Sequence, residues 1–370
     1  MLGLLKTFAP NPKEYPTVQE SERIKLYEEI NQSLNNLTPV FTTQTERNLI
    51  REIYKETEQH NVNNLTRTEA YLRFFSKHKE IHWSFLAHMV SRNGGYSMTD
   101  LKSSLVSHFF DNEKRQIMFD FLERANALIF YDAYPQLLLY EKSKNENRSY
   151  FHLLPAFHIS KFMIPIWNYF LSSSNSSLLT LALITNEQNY VEKHLMSSQT
   201  TKNKIFHTLP YVLQEKMGLT HVIFPYKRYP FLRYYKLSGI EVHEFSSVSE
   251  RIQIGKQLYS ILFSKHQYNS IYSFANYFGH SGSRSDYWPH LYTKDNHHVH
   301  KIYSPSLPHA WNDVSHSFPT KQDWFTDIAQ IKSFEIGITM NETDITKDVK
   351  RDLNMLLALG KLKLTKHKIG

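Results

Sequence analysis

The run Ile81-His-Trp-Ser-Phe-Leu-Ala-His-Met-Val-Ser-Arg-Asn-Gly-Gly-Tyr-Ser-Met-Thr-Asp100 changes character halfway along. Ile81, Trp83, Phe85, Ala87, Met89 and Val90 supply an apolar helix able to face a core, and Ser91, Arg92 and Asn93 then arrive just before Gly94 and Gly95. Glycine takes the left-handed conformation that ends many helices. The sequence therefore predicts a buried helix stopping at a polar double-glycine turn, with the short oxygens of residues 97–100 opening a second helix near Leu101. Loops held by rigid elements carry function more often than the elements do, which makes this turn a candidate site.

Working outward, four Ser/Thr-x-x-Glu starts stand ahead of helical apolar patterns: Thr17–Glu20, Thr43–Glu46, Thr66–Glu69 and Ser247–Glu250. The first three introduce Ile24, Tyr27, Ile30 and Leu34; then Leu49, Ile50, Ile53 and Tyr54; then Tyr71, Phe74 and Phe75. A further helix is expected from Ile117 to Phe130, and Pro135 suits the first turn of the next, where its missing N–H is no loss and Asp132 meets the positive helix end. Helical patterns recur over 178–196, 200–217, 252–262, 268–278, near Lys321 and over 346–359, while His221 to Pro225 reads as a short strand. From 280 to 318 the pattern dissolves into turns and prolines that hold seven of the 20 histidines. The expected architecture is mainly α, a single-lobed multi-helix protein with an irregular Pro/His-rich segment at 280–318 lying against 91–100. An arm covers 1–16, a helical domain 17–360 with a possible subdomain boundary near 142–149, and a basic tail 361–370.

Composition narrows the function classes. With no cysteine in 370 residues, disulfides, thiolate catalysis and cysteine-held metal centres are excluded, and a reducing cytoplasm is the expected compartment. The 11 glycines disfavour glycine-rich phosphate loops. No apolar run approaches the roughly 18 residues of a membrane span, and the first ten residues are too sparsely apolar for a signal peptide. A net charge of +8 favours contact with anionic partners, but only mildly for a chain of this length.

Four polar groups lie in otherwise apolar sequence: Ser91, Arg92, Asn93 and Asp100; Asp132 and Gln136; Asn186, Glu187 and Gln188; and Ser283, Arg284, Ser285 and Asp286. Ions and amides are costly to bury unless they pair, so the groups are expected to meet in one neighbourhood. Two arrangements satisfy that condition. In the first, Arg92, Asn93, Asp100, Gln136, Asn186, Gln188 and Arg284 line a polar cleft for a small anionic ligand or a protein partner. In the second, Glu187, Asp286 or Asp132 acts as a general acid or base beside Arg284 in an enzyme, with a hydrolase as the candidate class. The competing reading is that the same arginines and carboxylates bridge helices inside one closed structural network, and buried ion pairs of that kind are common in large helical proteins. A third reading uses the basic and aromatic run 226–236, where Lys227, Arg228 and Arg233 meet phosphates and Tyr229 stacks on bases. The histidines of 280–300 lack metal-ligand spacing, with no His-Glu-x-x-His and no Glu-x-x-His, so neither a native metal nor a cofactor is expected. Gly279-His-Ser-Gly-Ser283 falls one residue short of a nucleophile turn and has no parallel sheet around it.

The runs Leu86-Ala-His-Met-Val-Ser-Arg-Asn-Gly-Gly, Met98-Thr-Asp-Leu-Lys102, Asp132-Ala-Tyr-Pro-Gln-Leu-Leu-Leu-Tyr140, Asn186-Glu-Gln-Asn-Tyr190 and Gly282-Ser-Arg-Ser-Asp-Tyr-Trp-Pro289 together resemble the YppC-like proteins of Bacillus and related Firmicutes. The resemblance is firmest over residues 60–320. That family is a domain of unknown function, so the resemblance implies a bacterial, cytoplasmic protein and carries no activity or catalytic residue with it.

Overall fold

A computed structural model describes residues 20–35, 42–105, 110–196, 221–227, 229, 231–242, 247–298, 300–318, 322–334 and 344–369. The arm, Thr17 of the first start, the 200–217 segment and Arg228 lie outside these residues. The chain runs α1 (Glu20–Asn35), α2 (Gln44–His60), α3 (Asn64–Lys77), α4 (His82–Asp100), α5 (Asn112–Glu146), a 3-10 segment (Phe151–Phe157), α6 (Met163–Ser173) and α7 (Ser176–Val191), which continues as a π turn (Glu192–Met196). There follow β1 (His221–Tyr226), β2 (Lys236–Glu241), α8 (Val248–Leu262), α9 (Tyr268–Tyr277), a 3-10 turn (Arg284–Asp286), β3 (Tyr292–Thr293), β4 (Ile302–Tyr303), α10 (Leu307–Ala310), a 3-10 segment (Ile328–Phe334) and α11 (Thr346–Ile369). The protein is mainly α, as the periodicity predicts. Its described strands form two small sheets, β1 antiparallel to β2 and β3 parallel to β4.

Two of the capping boxes stand where expected, at Thr43 with Glu46 and at Ser247 with Glu250. The third is displaced. Asn63 caps α3 and Thr66 sits at the third helical position with its hydroxyl returned to the Asn63 N–H, so Thr66 completes a box that an asparagine begins. On α1, Leu26 and Ile30 are buried while Ile24 faces outward.

The largest departure concerns the opening stretch. α4 passes through Gly94 and Gly95 without turning and ends only at Asp100, and residues 101–105 form turns instead of a helix. The glycines serve close approach. A Cβ at Gly95 would lie 2.3 Å from His280 Nε2 and 2.4 Å from Asn64 Oδ1, two side chains that hydrogen-bond each other at 2.9 Å across the bare backbone. At Gly94 the nearest atom is Asn126 Nδ2, at 3.1 Å. Alanine is favoured over glycine in a helix by about 1 kcal/mol, so Gly94→Ala is expected to leave stability within about 1 kcal/mol of the parent. Gly95→Ala should lose more than about 2 kcal/mol, because the added methyl drives His280 from Asn64. Urea unfolding of the two variants checks this. Large equal losses would restore the turn.

Nor does α5 divide at Pro135. The helix is continuous for 35 residues, with Pro135 inside it and Leu137, Leu138 and Leu139 buried around it. Proline there removes the N–H that would bond the carbonyl four residues back, and tertiary burial holds the helix together. The polar 142–149 stretch is the last turn of α5 and its left-handed cap at Asn147, φ 50°.

α4 is the axis of the core. It packs against α3, α5 and α7, with α8, α10 and β1 also against it. The 280–318 segment does lie along its second half. Thr99 Oγ1 donates to the Gly282 carbonyl at 2.6 Å, and Trp311 Nε1 donates to the Met98 carbonyl at 2.8 Å.

Candidate functional site

The polar residues divide between two centres. At the first, the end of α4 meets the 3-10 turn at 284–286. Arg284 Nε lies 2.9 and 2.8 Å from the two carboxylate oxygens of Asp100, its Nη2 lies 2.6 Å from Asp100 Oδ2, and its Nη1 donates to the Tyr287 hydroxyl at 2.6 Å. Burial works against the guanidinium charge, yet Asp100 holds it well above the usual arginine range. Arg92 donates to the Phe278 carbonyl at 2.8 Å and to the Tyr96 hydroxyl at 3.3 Å, and its Nη2 faces Asp286 at 3.9 Å. Asp286 accepts from the Ser281 N–H and hydroxyl at 2.9 and 2.6 Å. Against the pull of burial, the nearby His280 ring and the hydrogen bonds from Ser281 keep its carboxyl below the ordinary range. Burial drives His280 itself down to about 4, so it is neutral at pH 7. The donors of Arg284 are thus committed to protein acceptors, and Asp286 is a stabilised anion.

Asn93 has a different task. Its amide donates to the Ile223 carbonyl at 2.8 Å and accepts the Ile223 N–H at 2.9 Å, standing in for a strand beside β1.

The second centre lies between α4, α5 and α7. Asn186 and Gln136 both donate to Asp132 Oδ2, at 2.6 and 3.0 Å, while Trp167 donates to Gln136 at 2.9 Å and Trp324 donates to Asn186 at 2.9 Å. Glu187 follows on the same helix. Trp83 Nε1 donates to its Oε2 at 3.1 Å and Gln188 Nε2 to its Oε1 at 3.2 Å. Gln188 in turn accepts from Arg251 Nε at 3.1 Å, and Arg251 also pairs with Glu192 at 2.7 Å.

Glu187, Gln188, Asn189 and Glu192 are each only half-buried. Even so, the protein packed around the Glu187 carboxyl pushes its pKa up to about 8, with the charge of Asp132 adding to the effect of desolvation. Tyr71 stands edge-on to Trp83 with ring centroids 5.5 Å apart. Its buried hydroxyl has no hydrogen-bond partner. An acid that keeps its proton at neutral pH can donate a hydrogen bond or a proton.

Both centres touch α4, at Trp83 and at Arg92. Nine residues separate these contacts, on the order of 14 Å along a helix. The expected single neighbourhood is therefore two. Arg92, Asp100, Arg284 and Asp286 share one, with Asn93 of α4 turned aside to bond β1; Asp132, Gln136, Asn186, Glu187 and Gln188 share the other. The sequence reading missed Tyr71, Trp324 and Arg251, and took Trp83 only for its apolar surface. Each comes from a different element, and no local spacing marks them.

The basic and aromatic run links β1 to β2. Lys227 turns back, with its N–H on the Ser270 hydroxyl at 2.6 Å and its ammonium over the Tyr235 ring at 4.8 Å. Tyr229 and Phe231 stack on each other in solvent, centroids 5.4 Å apart, and the Arg233 guanidinium lies 5.3 Å from the Tyr234 ring centroid.

A family model described as "Protein of unknown function (DUF2515)" matches residues 59–347. The chain belongs to the DUF2515 family. It is 38% identical over 317 residues to "Uncharacterized protein YppC" of Bacillus subtilis (strain 168), which covers 85% of this chain and 95% of the relative. The resemblance carried by the 86–95, 132–140 and 282–289 runs is thereby shown. No solved structure matches. The DUF2515 match takes in α3 to α9 and the 280–318 segment, and hence both centres. Among the described residues no helix is long and apolar enough to cross a membrane.

Proposed function

We propose that this DUF2515 protein binds a small ligand at Glu187, with the uncharged carboxyl donating a hydrogen bond to a carbonyl or carboxylate of the ligand. The observation that carries the reading is the union of partial exposure and an acidity near 8 at Glu187. Gln188, also half-buried, supplies a further polar contact, and the buried Asp132, Asn186 and Gln136 lattice holds α5 against α7 behind it. Arg92 and Arg284 support the fold around α4 and leave ligand capture to the second centre. A chain without cysteine suits a reducing, cytoplasmic setting.

A thermal-shift series with acetate, propionate, benzoate and their amides tests the reading. At pH 6.5 at least one of these probes should raise the melting temperature of the parent, and the shift should vanish at pH 9.5, where Glu187 is ionised. Glu187→Gln, which keeps a donor at every pH, should retain the shift at both. Equal shifts in Glu187→Ala, or none in the parent at pH 6.5, would refute it.

The same acidity favours a second reading, in which Glu187 is the general acid of a hydrolase. It requires turnover of p-nitrophenyl esters, phosphates or glycosides that declines as pH rises through 8 and is absent in Glu187→Gln.

A further inference from the structure

β1 and β2 pair so that His221 lies opposite Glu241. The start of α11 is stitched to the same hairpin. Ile345 N–H donates to the Leu237 carbonyl at 2.9 Å, Leu237 N–H donates to Thr346 Oγ1 at 2.8 Å, and Lys236 pairs with Asp344 at 2.7 Å. Docked in this way, α11 carries Asp352 to the end of the hairpin, where its Oδ2 stands 3.7 Å from His221 Nε2. One ligand atom each from His221, Glu241 and Asp352 lies within 4.8 Å of the others. His221 is buried, so its ring is held in place.

We propose that His221, Glu241 and Asp352 form a binding site for a first-row divalent transition-metal ion of the zinc class. The spacing is the first argument. At 3.7 Å the imidazole and carboxylate are too far apart for a hydrogen bond, yet ligands about 2.0–2.1 Å from a tetrahedral ion stand on the order of 3.4 Å from each other, so a small inward movement closes the site. Donor chemistry is the second. One imidazole nitrogen with two carboxylates suits zinc, cobalt, manganese or iron, whereas magnesium and calcium favour oxygen alone.

The topology is the third argument. Two adjacent strands and a helix from more than a hundred residues further on supply one ligand each, so a bound ion clamps α11 to the hairpin. Three protein ligands leave a coordination position for water. The site is separate from the Glu187 centre and stands or falls without it. The sequence gives no sign of it, because the three residues lie 20 and 111 positions apart.

Isothermal titration of the chelator-treated full chain with zinc chloride tests the proposal. One equivalent of zinc should bind, magnesium should produce no competing signal, and Co2+ should give the visible d–d band of a four- or five-coordinate site. Asp352→Asn and Glu241→Gln, both at positions with solvent access, should each weaken zinc at least about tenfold. His221→Ala should abolish binding. Because the loop histidines His297, His298 and His300 could hold zinc by themselves, a variant with all three changed to serine should bind as the parent does. Absence of zinc binding in the parent, retention of full affinity in Asp352→Asn and Glu241→Gln, or loss of binding in the loop variant would each overturn the proposal.

Discussion

Replacing Arg284 with methionine is expected to lower the unfolding free energy by about 3–5 kcal/mol, the range for leaving one member of a buried ion pair alone. Asp100 and Arg284 are both buried and their bond is bidentate, so the substitution strands a carboxylate beneath α4 and removes the donor to the Tyr287 hydroxyl. The deficit should shrink in acid, because a stranded buried carboxylate takes up a proton and ceases to be charged. Asp100→Leu in the same chain should restore most of the loss, since two apolar side chains fill the site without an ion to solvate. Urea midpoints for both single variants and the double variant give the coupling energy directly. A loss below about 1 kcal/mol for Arg284→Met would mean that the guanidinium is dispensable to the fold, and would return Arg284 to the roster of ligand-binding residues.

The second large effect depends on pH. Glu187 has its acidity raised from the ordinary value near 4.5 to about 8. Below pH 4.5 the carboxyl is protonated in the folded and unfolded chains alike and contributes nothing. Between 4.5 and 8 the folded chain holds a proton that the unfolded chain has released, so the side chain progressively destabilises the fold as pH rises, with the full penalty above 8. Glu187→Gln resembles the protonated acid at every pH. Its stability should match the parent near pH 4.5 and exceed it by roughly 2–4 kcal/mol at pH 9, after allowing for the solvent that reaches this half-buried group. Melting curves of both proteins from pH 4.5 to 9 measure the difference. A variant less stable than the parent at pH 9 would show that the ionised carboxylate holds the structure together, and would remove the case for a neutral acid.

Much of the fold was legible because its signals are local. The helical stripes around Leu49 and Ile53, the boxes at Thr43 and Ser247, and the serine turn between α6 and α7 each depend on neighbours within one or two turns. The failures came where distant residues override local preference. Gly94 and Gly95 read as a helix stop, but the partners that require a bare backbone at Gly95 are Asn64 and His280, one before it and one far after. Pro135 reads as a helix start, yet burial of the leucines around it keeps α5 intact.

The candidate site shows the same division. Residue chemistry pointed to Arg92, Asp132, Glu187 and Arg284 as side chains needing partners, and each has one. Which partner belongs to which was hidden, because Trp83, Tyr71 and Arg251 reach the Glu187 neighbourhood from three separate helices. Their side chains would look like ordinary core or surface members in any window of sequence.

The central claim is that the carboxyl of the half-buried residue Glu187 is uncharged at neutral pH. Carbon-13 NMR of chain labelled at glutamate Cδ, with the Glu187 resonance identified by its disappearance in Glu187→Gln, measures that state directly. The expected result is a single resonance that moves through a midpoint near pH 8. A Glu187 resonance already at its ionised position at pH 6 would contradict the account.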